Sequence, residues 1–130
     1  PEKLAALEFC LRDESRDVRQ LAVELLGTYG EEGGESLLLE ALHDPDDWVR
    51  VRAVEALGRN RVSSAVPELV TMMEHSNLLV QLKIAEALGQ IGGDMAFQAL
   101  LGFMSYESPE VQAAAAEAID RIRGEEESQA

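Results

Sequence analysis

Cysteine, histidine, proline and aromatic residues are all scarce in this chain of 130 residues. The one cysteine, Cys10, has no partner within the chain, so an internal disulfide is excluded and a reducing, cytoplasmic setting is expected. The two histidines, His43 and His75, belong to no H-E-x-x-H or similar ligand spacing, which argues against a metal site. No apolar run approaches the ~20 residues needed to cross a bilayer, and no signal-peptide pattern opens the chain. Positive charge is also scarce. Eleven basic side chains stand against 25 acidic ones, a formal charge of −14. Phosphate backbones and anionic membranes repel such a surface, whereas a basic protein is a compatible partner. Alternation of period two is missing over any useful length, so no strands are expected, and with them goes any Gly-rich phosphate loop after a strand. The chain begins at Pro1 rather than Met, as expected of a processed protein or a segment of a longer one.

What the sequence does contain is a repeat. "VRQLAVELLG", "VRVRAVEALG", "VQLKIAEALG" and "VQAAAAEAID" begin at Val18, Val49, Val80 and Val111, 31 residues apart without insertion or deletion. Glu24, Glu55, Glu86 and Glu117 align, and Gly27, Gly58 and Gly89 align with Asp120. A second register holds Leu7, Leu38, Leu69 and Leu100, then Leu11, Leu42, Met73 and Met104. Apolar spacing of three and four makes each unit a helix pair. First helices are expected at about 2–12, 34–43, 64–75 and 94–106, second helices at about 16–28, 46–59, 77–91 and 108–123. Gly30, Gly33 and Gly34 break the chain at one boundary, Gly92 and Gly93 at another. Pro45 and Pro109 mark the starts of second helices, with Asp44 and Ser108 as caps, and Pro67 falls in a first helical turn.

A single pair cannot bury its own apolar stripe, but stacked pairs share a continuous core. The expected fold is an all-α, short right-handed α-solenoid of four helix pairs. It occupies residues 1–123 as one domain, with repeats at about 1–31, 32–62, 63–93 and 94–123 and a solvated acidic tail at 124–130.

"DDWVRVRAVEALG", "SRDVRQLAVELLG" and "AVPELV" resemble HEAT-like repeats of the phycobilin-lyase type over about residues 1–123. Gln81 and Gln112 depart from the family's usual Arg, and the Pro of "AVPELV" stands one place early. The resemblance implies an intracellular interaction module, in some members a bilin-lyase subunit. It also implies that Arg19 and Arg50 pair with Asp residues in inter-repeat turns, and that the second helices line a concave surface. Some HEAT-like proteins are di-iron hydroxylases with repeated His-Glu pairs, a dipeptide this chain does not contain.

On a wheel of about 100° per residue, counted from each repeated Val, positions 0, +4, +5 and +8 are the apolar core side. The opposite side carries Trp48, Val51, Arg52, Glu55 and Arg59 in the second repeat and Leu79, Leu82, Lys83 and Glu86 in the third. Trp48, Val51, Leu79 and Leu82 are apolar residues without an obvious core to fill, beside charged neighbours, as at protein-binding patches. Packing against an adjacent repeat is the competing account for Trp48 and Leu79. Across all four repeats this face holds six acids and four bases, so the excess negative charge lies mainly in clusters at Glu31–Glu32–Glu35, Asp44–Asp46–Asp47 and Glu125–Glu127. Cys10 reads as a semi-buried thiol. The chain therefore reads as a non-enzymatic, monomeric, cofactor-free module binding a protein partner through these nine residues; the alternative is an accessory subunit of a bilin lyase or related chromophore-handling enzyme.

Overall fold

The computed structural model describes residues 2–29 and 32–129, which form eight α-helices and no strand. Pro1, Gly30, Glu31 and Ala130 lie outside the described residues, and with them the expected break at Gly30 and one acid of the first cluster. The first helices are α1 (Glu2–Cys10), α3 (Gly34–Ala41), α5 (Val66–Met73) and α7 (Gly93–Phe103). The second helices are α2 (Arg16–Tyr29), α4 (Asp47–Arg59), α6 (Leu78–Ile91) and α8 (Pro109–Gln129). A 3-10 turn, Ser63–Ala65, leads into α5, and Pro67 occupies that helix's first turn.

Local chemistry explains most boundaries. Ser108 accepts from the Val111 amide at 3.3 Å and Asn77 from the Val80 amide at 3.0 Å, capping α8 and α6. The cap of α4 is Asp46 rather than the expected Asp44. Its carboxylate accepts from the amides of Trp48 (2.9 Å) and Val49 (3.2 Å). Asp44 does a different job: it takes both Arg19 Nε (2.9 Å) and Nη2 (3.3 Å), tying the first repeat to the second. Only Gly92 separates α6 from α7, and positive φ angles at Gly92 (71°) and Gly93 (85°) let the chain reverse there.

The residue one after each repeated Val shares a task in all four repeats, which is to donate to a carbonyl at the end of the first helix or in the turn that follows it. Arg19 donates to the carbonyls of Asp13 (2.9 Å) and Glu14 (3.0 Å), and Arg50 to that of Asp44 (2.7 Å). Gln81 donates to Met73 at 2.9 Å and Gln112 to Tyr106 at 2.5 Å. The Arg-to-Gln departures keep the hydrogen bond to a backbone carbonyl and drop the ion pair with an aspartate that Arg19 and Arg50 add. Arg50 also pairs with Asp47 of its own helix.

The second helices pack side by side in one unbroken row. The first helices lie outside it against the second helices, α3 equally against α2 and α4, and α1–α3 and α3–α5 meet at most sparsely. Close approach within the row has a specific cause. A Cβ on Gly27 would stand 2.6 Å from Ala56 Cβ, one on Gly58 2.9 Å from Ala87 Cα, and one on Gly89 2.8 Å from Ala118 Cβ. At each seam the Gly nine residues after the repeated Val faces the Ala seven after the next one. Closer approach within the row of second helices than within the outer layer favours a bend with the second helices on its inner side. The seam-free flanks differ: Leu25 replaces the Ala in the first repeat and Asp120 the Gly in the last.

The acidic run expected as a solvated tail is exposed except at half-buried Glu125, but it is helical, continuing α8 to Gln129, and Glu125 pairs with Arg61 at 3.0 Å. His43 lies against the Glu68 carboxylate. Cys10 is half-buried beside the core.

The seam makes two identical substitutions differ in sign. Gly58→Ala drives a methyl group into the backbone of α6 and is expected to cost about 1–3 kcal/mol. Gly102→Ala on α7, where a Cβ meets nothing within 4 Å, is expected to gain about 0.5–1 kcal/mol from helix propensity. Urea unfolding of both variants beside the parent checks the pair of signs.

Candidate functional site

Burial on both flanks of the row leaves each central second helix a narrow strip facing the inner side. In α4 the strip is Trp48, Arg52, Glu55 and Arg59; in α6 it is Leu79, Lys83, Glu86 and Gln90, spaced four, three and four apart. Of the nine residues expected on this face, eight are at least partly accessible and one is not. Val51 is fully buried, at 0% exposure, and belongs to the core. The correction has a geometric reason. Two places after the repeated Val, a side chain points along the row toward the next second helix, into the seam, and not out of the row. Leu82 holds the same position in α6 yet stays half-buried, because Ala114 rather than a long side chain stands across its seam.

Trp48 and Leu79, at matching positions before the repeated Val, are 46% and 36% exposed. The Arg52 guanidinium lies over the Trp48 ring, 5.8 Å from its centroid, and restrains it.

The charged residues on the strip are paired with one another. Arg52 Nε lies 3.3 Å from Glu24 Oε1 on the preceding helix, without the alignment of a hydrogen bond, and Arg52 Nη1 donates to Glu55 at 2.7 Å. Lys83 Nζ is 3.4 Å from Glu55 and 3.8 Å from Glu86. Glu24, Arg52, Glu55, Lys83 and Glu86 thus form one alternating ladder across three repeats. Partial burial alone would raise the Glu55 pKa, but the Arg52 hydrogen bond and charge, with Lys83 beside it, outweigh that and leave the carboxyl below its ordinary value.

Beyond Glu86 the ladder stops and a cleft opens between α6 and α8, lined by Leu82, Glu86, Ala114, Glu117, Ala118 and Arg121. Sequence reasoning kept the outer repeats apart from the site and so missed its α8 wall. The signal was present: the ladder position that reads Arg52 and Lys83 reads Ala114 in the last repeat. Among the described residues no group of three or more His, Cys, Asp and Glu side chains is placed to hold a metal ion, and no helix is long and apolar enough to cross a membrane.

The chain belongs to the HEAT-repeat family, whose model matches residues 4–77 and 66–130. No curated protein matches the sequence significantly. Among solved structures it is similar to human deoxyhypusine hydroxylase, at 28% identity and a TM-score of 0.83 over 93% of this chain and 43% of that one. It is also similar to the CpcE–CpcF complex of phycocyanin lyase from Nostoc sp. PCC7120, at 25% identity and a TM-score of 0.76, covering 93% and 53% of the two chains. An engineered protein shares the fold at 22% identity and a TM-score of 0.68, covering 92% and 62%. The chain therefore spans about half the length of the hydroxylase and lyase chains it resembles. These likenesses overturn the expectation that the chain is not an enzyme: the same repeat scaffold serves a hydroxylase and a lyase, so a solenoid without a familiar catalytic motif carries no argument against catalysis.

Glu55 gives the ladder a pH signature. Its folded pKa lies below the ordinary 4.5, so its contribution is complete above that value and is lost as pH falls through the lower folded one. Glu55→Gln is expected to cost up to about 1 kcal/mol at pH 7, the range of partly exposed pairs. The gap from the parent should narrow as pH falls below 4.5, which urea unfolding at neutral pH and along a descending pH series measures.

Proposed function

We propose that this chain is a binding scaffold whose inner face, the row of second helices, holds a segment of another polypeptide. The observation that supports this most directly is the pair Trp48 and Leu79, two large apolar side chains left 46% and 36% exposed on adjacent repeats of that face. Aromatic and apolar anchors beside a fixed ladder of charges suit a partner segment that is amphipathic or basic, since the chain carries −14. A rigid row also lowers the ordering cost of binding, because only the partner has to settle. Nothing in this reading requires a nucleic acid, a membrane or a second copy of the chain.

A second reading is favoured by one observation, the likeness to the phycocyanin lyase complex over about half of its chain. On that reading the chain is an accessory subunit of a bilin lyase or related chromophore-handling enzyme. A shift in bilin absorbance on mixing supports it, and an unchanged spectrum removes it.

The sole tryptophan sits on the proposed face and reports occupancy directly. Affinity capture from lysate with the parent and with Trp48→Ser/Leu79→Ser should retain a protein on the first and lose it on the second, with equal helicity and melting. Adding the captured protein back should shift the Trp48 emission of the parent. Equal capture by both would place the binding surface elsewhere.

A further inference from the structure

The ion ladder has two built rungs across seams and a third that is missing. At the first seam Arg52 reaches from α4 back to Glu24; at the second Lys83 reaches from α6 back to Glu55. Both cations stand three residues after the repeated Val and both acids six after it. At the third seam the acid is Glu86, and the residue in the cation's place is Ala114. Among the described residues Glu86 has only Lys83, on its own helix and 3.8 Å away, which is already nearer to Glu55. Its side chain is 60% exposed. Glu117, the next acid in the register, has no ion-pair or hydrogen-bond partner among the described residues.

The space records the same difference. One repeat earlier, Glu55, Arg59, Lys83, Glu86, Ala87 and Gln90 enclose a cleft of ≈ 120 Å³. At the third seam the cleft in equivalent register is ≈ 460 Å³. Its floor is apolar, made of Leu82, Ala114 and Ala118, and carboxylates rise from it at Glu86 and Glu117. Arg121 at its end is turned to Glu125, 3.8 Å away. An alkyl stem carrying a positive head matches both parts, the stem lying on the apolar floor and the head at the acid.

We infer that the cleft between α6 and α8 receives a lysine or arginine of a basic partner segment, whose cation takes the place across from Glu86 that Lys83 holds across from Glu55. The inference rests on the reading of the inner face as a polypeptide-binding surface and names the partner's chemistry there. An acidic segment is rejected by Glu86 and Glu117, and the apolar floor favours a stem over a bare hydrated ion.

The test uses two fluorescein-labelled synthetic helical peptides of Leu and Ala, one with Lys and one with Glu at every polar position, titrated by anisotropy. The Lys peptide should bind the parent and the Glu peptide should not. Ala114→Lys should fill the cleft and weaken the Lys peptide by about tenfold or more, without lowering the melting temperature. Gln98→Lys, which adds the same charge to an exposed site on α7, should leave the affinity nearly unchanged. Equal weakening by Gln98→Lys would show attraction to net charge alone and overturn the inference. So would unchanged binding by Ala114→Lys, or no binding of the Lys peptide to the parent. The two readings separate with Trp48→Ser/Leu79→Ser. If that variant loses the peptide while Ala114→Lys keeps it, the inner face stands as the binding surface and the missing rung falls. If neither variant weakens it, both readings fall.

Discussion

Three times along the row of second helices, a glycine and an alanine let two backbones approach until no methyl group fits between them. The first helices have no such device, and their neighbours in the outer layer meet sparsely or not at all. That inequality favours a bend toward the second helices, and coverage by neighbouring helices decides which side chains see solvent. A central second helix has a close neighbour on each flank and its own first helix behind, so three sides are covered. What remains is a strip one side chain wide, running at spacings of four, three and four. The fold thus reduces the inner face to a few positions per repeat, and the seam glycines set that limit.

The same closeness explains the ladder. With second helices drawn together, an acid six places after one repeated Val comes within reach of a cation three places after the next. Unpaired like charges at such spacing would repel, so alternation along the strip relieves a cost the seam creates. It also explains how a chain of charge −14 presents a mixed inner face. The excess negative charge sits outside the strip, in the turn that caps α4 and ties the first two repeats and in the last turns of α8.

The repeat was legible in the sequence down to its offset, because a shared core forces the same apolar positions in every unit. Helix existence and order followed, and boundaries came within about three residues except at the end of α8, which runs six further. What a single-helix wheel did not reveal was direction within the stack. Val51 and Leu82 occupy one wheel position, but one lies sealed in a seam and the other borders a cleft, and the difference resides in the residue facing them on the next helix. The wheel also divides a helix into core and solvent, whereas a solenoid helix has two further faces toward its neighbours. The glycines aligned plainly, yet their meaning needed the Ala seven places into the following repeat. Asp46 and Asp44 show the same limit on a smaller scale: adjacent acids before a helix look equivalent until one is seen to serve the helix and the other the neighbouring repeat.

Structural duty and variability divide cleanly along each second helix. The repeated Val, the side-chain donor after it, the apolar positions four and eight residues on, and the Ala and Gly of the seam are held by packing, and all recur wherever a neighbour is present. The positions one before and three after the Val bear no such load. They read Asp17 and Leu21, then Trp48 and Arg52, then Leu79 and Lys83, then Glu110 and Ala114. A hydroxylase, a lyase complex and an engineered protein share this scaffold, so the recurring residues cannot distinguish among their tasks. Whatever distinguishes this chain must reside where its repeats differ from one another. One such difference, a long cation giving way to alanine at one rung, coincides with a cleft of ≈ 460 Å³ on the inner face.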